Sequence, residues 1–200
     1  MKTAKFISII GHPIFHPTWM MLILLLSGLT RFTPGNDMTF LTVTFSTTCL
    51  IPALIIVMLK RWHIIGSFDM EEREDRLGPL FIMVLFLYTA LRFFSKVQLL
   101  AIFNFYLTTV IVVTILAFII TFFWKISLHS LGWGCFSACL FIMTTASIRM
   151  YLLYFIASIL ISGIVAAARL KLKSHSNAQI YLGFAMGFAT VIIVYVLTIL

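Results

Sequence analysis

Residues 97–124 read VQLLAIFNFYLTTVIVVTILAFIITFFW, and none of these 28 side chains is charged. The hydrocarbon core of a bilayer is about 30 Å thick, so a helix that crosses it needs roughly 17–25 apolar residues. The stretch therefore predicts a transmembrane helix. Six other apolar runs repeat the pattern, at residues 13–29, 40–59, 79–94, 131–145, 151–168 and 180–200. The run 131–145 is short and rich in Gly, Ser and Cys, so a re-entrant segment is the alternative there.

The composition of the whole chain indicates the same class of protein. Hydrophobic residues make up 62% of the 200 residues and charged residues only 10%, whereas water-soluble proteins average about 45–50% and about 25%. These values exclude a soluble globule, a disordered chain, a collagen and a secreted disulfide scaffold. The sequence predicts an all-α polytopic membrane protein, a bundle of six to seven transmembrane helices that forms a single domain over residues 1–200.

Charge and cysteine content narrow the range of partners. Fourteen Lys and Arg residues against six Asp and Glu residues give a net charge of +8, but the basic residues are scattered among apolar runs. This distribution favours anchors at the membrane faces or ligands for anionic lipid groups, and it argues against nucleic acid as a partner. Cys49, Cys135 and Cys139 lie inside apolar runs without metal-ligand spacing, so we expect small core residues.

Three polar segments lie between the apolar runs, at residues 69–79, 125–129 and 169–179. Two predicted spans separate the first segment from the second, and two more separate the second from the third, so all three are expected on the same membrane face. Ionisable groups near lipid are costly unless they serve a function or reach the membrane surface. The side chains that can converge on this face are Arg73, Arg76, Lys125, His129, Arg169, Lys171 and His175.

The direction of the helices suits this face to an anion. Predicted spans 79–94, 131–145 and 180–200 begin there, and a helix N-terminus carries free N–H groups and about half a positive charge. Pro79 suits the first turn of a helix, and Gly78 lets the backbone approach a ligand closely. Guanidinium groups, helix N-termini and two imidazoles at a lipid boundary predict a phosphate site, since arginine binds phosphate in a bidentate way.

The motifs in these segments resemble those of the phosphatidic acid phosphatase type 2 superfamily of integral membrane phosphatases. Its third motif is Ser-Arg-x5-His-x3-Asp, and here Arg169 is followed at that spacing by His175 and then by Gln179. The Pro-Ser-Gly-His and Lys-x6-Arg-Pro motifs survive in part, as Ser127-Leu128-His129 and as Arg73 and Arg76 with Pro79 nearby. The motif-bearing part of the chain is about residues 69–190.

The resemblance implies a covalent mechanism that needs neither a metal nor a cofactor. His175 would attack phosphorus and form a phosphohistidine, while His129 would protonate the leaving oxygen and later activate water. Gln179 would accept a hydrogen bond from the ring of His175. The predicted phosphate-binding residues are Arg73, Arg76, Lys125, Ser127 and Arg169.

Departures from the family motifs leave an alternative open. Gln179 stands where the family has the aspartate that orients the nucleophilic imidazole, and an amide can accept the hydrogen bond but offers no charge. The other departures replace a glycine, a serine and a lysine of the motifs, by Leu128, Ala168 and Asp69 respectively. The alternative is a catalytically weak or inactive relative that binds anionic lipid or assists another membrane protein.

The expected reaction is hydrolysis of a phosphate or diphosphate monoester of a lipid, of the phosphatidate, phosphatidylglycerol phosphate or polyprenyl diphosphate type. The expected partners are this substrate and the membrane lipids, and the expected location of the multi-pass protein is a bacterial inner membrane. The family acts on the extracytoplasmic side, whereas the distribution of Lys and Arg favours a cytoplasmic site, so the face stays open, as does the oligomeric state. A small transporter or structural bundle, with His129 far from His175, is a further alternative.

Some residues have a purely structural interpretation. His12 and His16, with Pro13 and Pro17, are expected to mark the hydrated beginning of the first span. Glycine at a transmembrane helix surface lets two backbones approach closely. We therefore expect close helix contacts at Gly132, Gly134, Gly163, Gly183 and Gly187, the last two forming one Gly-x3-Gly face.

Overall fold

The computed structural model describes residues 1–28, 36–66, 72–96 and 101–199, and in these ranges the chain forms helices and no strand. The α-helices are α1 Lys2–Ile10, α2 His16–Leu26, α3 Asn36–Phe45, α4 Ile51–Arg61, α5 Glu74–Phe94, α6 Ala101–Thr121, α7 Leu128–Ala146, α8 Ile148–Lys171 and α9 Asn177–Ile199. A 3-10 turn at Pro13–Phe15 joins α1 to α2, and a π-helical turn at Ser46–Leu50 joins α3 to α4.

The predicted class of protein is confirmed. Seven helical segments of the described chain are long and apolar enough to cross a membrane, and α7 is one of them, where a re-entrant segment was the alternative. The protein is therefore an all-α, multi-pass membrane protein. Of the predicted spans and motifs, Leu29, Asp69, residues 97–100 and Leu200 lie outside the described residues.

The helices group into two compact units. One unit comprises residues 1–13 and 125–200, and so contains α1, α7, α8 and α9. The other comprises residues 14–124, from α2 to α6. That the whole of residues 1–200 forms a single domain stays a prediction.

Helix α7 is the central helix of the first unit. It packs against both α8 and α9, while α1 packs against α8. Its sequence, LHSLGWGCFSACLFIMTTA, is rich in Gly, Ser, Ala and Cys. These small side chains let the neighbouring helices approach closely. Between α7 and α8, the hydroxyl of Ser158 donates to that of Ser137 at 2.9 Å. Cys135 and Cys139 are buried free thiols of α7, as predicted.

Helices α7 and α9 run parallel to one another and meet at glycine. A methyl group on Gly134 would lie 2.1 Å from the main-chain oxygen of Phe184. A methyl group on Gly187 would lie 2.1 Å from the main-chain oxygen of Leu131, and one on Gly183 would lie 3.0 Å from the main-chain oxygen of Ser127, just before α7. Unbonded carbon and oxygen atoms do not approach to 2.1 Å, so only glycine fits the closest positions. The predicted Gly-x3-Gly face is confirmed.

Gly163 in α8 differs from these glycines. A methyl group on Gly163 would meet no atom within 4 Å among the described residues. The residue and its neighbours Ile161 and Ile164 are exposed on the surface of the unit. The predicted close helix contact at Gly163 is therefore wrong, because this glycine faces outward rather than towards another helix.

The first span begins earlier than predicted. Helix α1 starts at Lys2, and the apolar helical segment extends to Leu26, instead of covering residues 13–29. Pro17 lies in the first turn of α2. A main-chain N–H there would have no acceptor within the helix, so a proline, which lacks it, costs no hydrogen bond. Pro13 and Pro17 therefore do not mark the start of the span, because the residues of α1 belong to it as well.

In the unit of residues 14–124, α5 and α6 form an antiparallel hairpin. At one end, the guanidinium of Arg73 donates to the main-chain oxygens of Phe122 and Phe123, both at 3.3 Å. At the other end, the side-chain amide of Asn104 donates to the main-chain oxygen of Phe94 at 3.2 Å. The last carbonyls of a helix lack donors within it. Arg73 and Asn104 supply donors to such carbonyls at the ends of α6 and α5 respectively.

Helix α5 begins before Pro79. Glu74 and Asp75 supply acidic side chains to its first turn, where they favour the N-terminus of a helix. The carboxylate of Asp75 also accepts from the main-chain N–H of Gly66, at 2.9 and 3.0 Å, which links Gly66 to the first turn of α5. The predicted helix start at Pro79 is therefore wrong, and Gly78 lies inside α5 with its surface exposed.

Candidate functional site

The second and third polar segments meet in the unit that contains α7 and α9. The main-chain N–H of Ser127 donates to the main-chain oxygen of Gln179 at 3.3 Å, so these two helices begin side by side. Helix α8 ends close to α9, since only residues 172–176 separate the two helices along the chain. The prediction that the second and third segments lie at the same end of the helices is confirmed.

Residues 176–179 form a capping box at the beginning of α9. The side-chain oxygen of Gln179 accepts from the main-chain N–H of Ser176 at 3.1 Å, and the hydroxyl of Ser176 accepts from the main-chain N–H of Gln179 at 3.4 Å. This reciprocal pattern is typical of Ser-x-x-Gln at a helix N-terminus. It holds the side chain of Gln179 in one orientation.

The orientation of Gln179 decides which nitrogen of His175 carries the proton. Oε1 of Gln179 lies 2.9 Å from Nδ1 of His175. A main-chain N–H can only donate, so the amide atom that faces Ser176 is the oxygen, and Nδ1 of His175 must donate to it. The neutral ring therefore has its proton on Nδ1 and its lone pair on Nε2, the form in which histidine is a nucleophile. His175 is 7% exposed.

His129, in the first turn of α7, is bound to the end of α1. Its Nε2 lies 3.0 Å from the main-chain oxygen of Ser8, and since a carbonyl only accepts, the ring nitrogen donates. Trp133, one turn further along α7, donates from Nε1 to the main-chain oxygen of Gly11 at 3.0 Å. Carbonyls at a helix C-terminus need such partners from outside the helix. Two side chains of α7 therefore fix the end of α1.

Arg169 lies beside the same serine as His129. Its guanidinium donates to the hydroxyl of Ser8 at 2.9 Å, and the residue is 7% exposed. The ring of His12 packs edge-on against the ring of His129, with 4.8 Å between the ring centroids. His12, Arg169 and His175 all lie within electrostatic range of His129. The unit thus brings together the predicted residues His129, Arg169, His175 and Gln179.

Ser8 and His12 belong to this cluster but not to the predicted site. The predicted hydrated beginning of the first span is wrong, because His12 contacts the ring of His129 and His16 is only 2% exposed. Ser8 precedes the predicted first span and belongs to no motif, so the sequence gives no signal for it. His12 gives a weak signal, since it is a histidine at the edge of an apolar run.

Ser127 and Lys125, both predicted to bind phosphate, lie just before α7. The hydroxyl of Ser127 is the N-cap of α7: it accepts from the main-chain N–H of Ser130 at 3.4 Å and from the hydroxyl of Ser130 at 3.2 Å. The structure thus gives this buried hydroxyl a capping role, and its contact with phosphate stays a prediction. Lys125 is half-buried in the same segment, and its phosphate contact also stays a prediction.

Arg73 and Arg76 belong to the unit of residues 14–124. Arg76 is buried in α5, with 3% of its surface exposed. Arg73 is exposed at the end of the α5–α6 hairpin, and its guanidinium lies 3.8 Å from the carboxylate of Glu74. The predicted contact of these two arginines with phosphate stays a prediction.

Comparison of the chain with family models, curated proteins and solved structures finds no match. The chemistry of the described residues is nonetheless specific. One unit holds an imidazole with its lone pair on Nε2, a second imidazole, a buried guanidinium and two adjacent helix N-termini. A nucleophile, a proton donor and fixed positive charge are the groups that transfer of a phosphoryl group through histidine requires.

Proposed function

We propose that the protein is a membrane phosphatase, similar to the phosphatidic acid phosphatase type 2 superfamily, that hydrolyses a phosphate or diphosphate monoester of a lipid. The observation that carries the proposal is the hydrogen bond of 2.9 Å from Nδ1 of His175 to Gln179. This bond leaves the lone pair on Nε2, so Nε2 is the nitrogen that we propose attacks phosphorus. His129 and Arg169, both buried in the same unit, support the proposal.

The reaction has two steps. In the first, Nε2 of His175 attacks phosphorus, the bond from phosphorus to the lipid oxygen breaks, and a phosphohistidine forms. The leaving oxygen takes a proton from His129; because Nε2–H of this ring is held by the carbonyl of Ser8, the proton comes from Nδ1, which takes it up when the negative charge of the bound phosphate favours the doubly protonated ring. In the second step, His129 takes a proton from water, which attacks the phosphohistidine and releases inorganic phosphate.

Fixed positive charge is the other requirement of the proposed reaction. Negative charge spreads over the phosphate oxygens in the transition state, so preorganised cations and N–H groups stabilise it. We assign this role to Arg169 and to the N–H groups at the beginnings of α7 and α9. Lys125, of the same unit, is proposed to add to the positive charge, and Ser127 to add a hydrogen bond.

A lipid is the proposed substrate because the site residues lie at the ends of helices that are apolar enough to cross a membrane. Phosphatidate, phosphatidylglycerol phosphate and polyprenyl diphosphate each carry their phosphate on a long apolar tail. Such a tail can stay in the bilayer while the phosphate reaches the ends of α7, α8 and α9. The proposed location is the inner membrane of a bacterium.

One observation favours a second function, that of a weak or inactive relative that binds anionic lipid or assists another membrane protein. The side chain of Gln179 is already used in the capping box of α9, and its amide has no charge to stabilise a cationic ring at His175. In serine-protease triads, loss of the corresponding carboxylate lowers the rate by about 10⁴-fold, largely through the wrong tautomer. Gln179 fixes the right tautomer, so we expect a smaller loss here.

Turnover distinguishes the two functions. We expect the purified protein in detergent to release inorganic phosphate from a short-chain phosphatidate in the presence of a metal chelator. Gln179→Glu keeps the length of the side chain and the capping box, and it adds the missing charge. Release should therefore rise by about 10-fold or more in this variant, as measured by a colorimetric phosphate assay.

Asn177→Asp is the matched control for this experiment. Asn177 is exposed in the first turn of α9, so the variant adds the same charge to the same helix end without replacing the acceptor of His175. An equal rise in both variants would assign the effect to the helix N-terminus. If the protein and Gln179→Glu both bind phosphatidate and neither releases phosphate, the second function is favoured and the phosphatase is excluded.

A further inference from the structure

We infer that Ser8 is a positioning residue of the phosphate site, whose hydroxyl holds the guanidinium of Arg169 and whose main-chain oxygen holds the ring of His129. The inference rests on the proposed function. It adds α1, a helix that carries none of the motifs, to the machinery of the site.

Ser8 is bonded to both groups at once. Arg169 donates to its hydroxyl at 2.9 Å, and Nε2 of His129 lies 3.0 Å from its main-chain oxygen and 3.5 Å from its hydroxyl. Serine hydroxyls in helices commonly bond to their own backbone, but this buried one serves residues 161 and 121 positions away along the chain. The contacts are therefore tertiary, and both go to proposed site residues.

A serine is chemically suited to position an arginine for phosphate. The guanidinium has five N–H donors in a rigid fork, so a single acceptor at one nitrogen orients the whole group. Holding the long side chain of Arg169 before the phosphate arrives removes an entropy cost from binding. The hydroxyl is neutral, so it orients the guanidinium without neutralising the charge that the phosphate needs, whereas a carboxylate partner would cancel that charge.

Contacts with neighbouring helices hold α1, and with it Ser8, in place. A methyl group on Gly11, at the end of α1, would lie 2.4 Å from the side chain of Val165 in α8, so the two helices touch there. The indole of Trp133 donates to the main-chain oxygen of Gly11 from the other side, in α7. These two contacts of Gly11, with α7 and with α8, lie about one turn beyond Ser8 and fix its position relative to Arg169 and His129.

The test is a double-mutant cycle between Ser8 and Arg169, read by the affinity for orthovanadate, a phosphate analogue, and by kcat/KM for phosphatidate. Ser8→Ala removes the hydroxyl and keeps the main-chain oxygen. We expect both quantities to fall about tenfold, as for the loss of one hydrogen bond to a charged group. Ser8→Thr should recover most of the loss, and Ser8→Ala should have no further effect in an Arg169→Ala background, because the hydroxyl acts through Arg169.

Ser158→Ala is the matched control, because Ser158 is a buried serine of the same unit whose hydroxyl bonds to Ser137 instead. It should leave vanadate affinity unchanged. Three results would overturn the inference while the proposed function stands. The first is an equal loss of vanadate affinity in Ser158→Ala, and the second is additive losses of affinity for the substitutions at Ser8 and Arg169. The third is tighter vanadate binding by Ser8→Ala.

Two other outcomes concern the proposed function itself. If the unaltered protein binds vanadate without releasing phosphate, the phosphatase is excluded, and the cycle read by binding still decides the role of Ser8. If the unaltered protein neither binds vanadate nor releases phosphate, the proposed function and the inference are both overturned.

Discussion

Replacement of His175 by alanine is expected to lower phosphate release by at least about 10⁴-fold, because no phosphohistidine can form without the nucleophile. The capping box of α9 does not depend on this ring, since Ser176 and Gln179 bond to one another. The variant should therefore fold normally. A phosphate assay measures the loss, and the melting temperature in detergent, which should stay close to that of the unaltered protein, shows that the fold is intact.

His63→Asn is the control for this substitution. His63 is an exposed histidine of the other unit with φ of 59°, a conformation that asparagine tolerates. The control variant should release phosphate at the unaltered rate. Phosphate release that persists in His175→Ala would rule out the covalent mechanism through this residue.

Substitution of Gly134 by alanine is expected to lower the melting temperature by about 5–10 °C. The added methyl would lie 2.1 Å from the main-chain oxygen of Phe184 and 3.0 Å from the main-chain nitrogen of Phe188. Both are backbone atoms of α9, so relief requires the helices to move apart. That movement would also disturb the contact between Ser127 and Gln179, so phosphate release should fall as well. Thermal unfolding in detergent, followed by circular dichroism, measures the effect.

Gly163→Ala is the matched control, because it is the same chemical change in another helix of the same unit. A methyl group at Gly163 would have nothing within 4 Å among the described residues, and alanine favours a helix by about 1 kcal/mol over glycine. The melting temperature should therefore be unchanged or higher. Equal melting temperatures for the two alanine variants would contradict the close contact between α7 and α9 at Gly134.

The helical membrane fold is predictable from the sequence because an apolar run of span length can satisfy its backbone in a bilayer only as a helix or in a closed barrel. The ends of helices are less predictable. Helix α5 begins at Glu74 rather than at Pro79, and α1 begins at Lys2 although the apolar run starts later. Glu74 and Asp75 favour the polar first turn of α5, and hydropathy does not detect such a turn.

The local part of the candidate site is also predictable, because Arg169 at the end of α8, His175 in the connection and Gln179 in the first turn of α9 are close together along the chain. His129 is predicted at the same end because two spans, an even number, separate its segment from that of Arg169. Ser8 could not be predicted, because its contact with His129 spans 121 positions and no local pattern records it. The role of Ser127 is ambiguous in the sequence, because a serine just before a helix is a common N-cap and this serine also matches part of a phosphatase motif.

The most direct test of the proposed mechanism is to identify the phosphorylated atom of the enzyme. After rapid mixing with phosphatidate and quenching in alkali, which preserves phosphohistidine, we expect mass spectrometry to find one phosphoryl group on His175. Phosphorus NMR should assign it to Nε2, because Nδ1 is bonded to Gln179 at 2.9 Å. A phosphoryl group on Nδ1 or on another residue, or phosphate release without any phosphorylated enzyme, would contradict the mechanism.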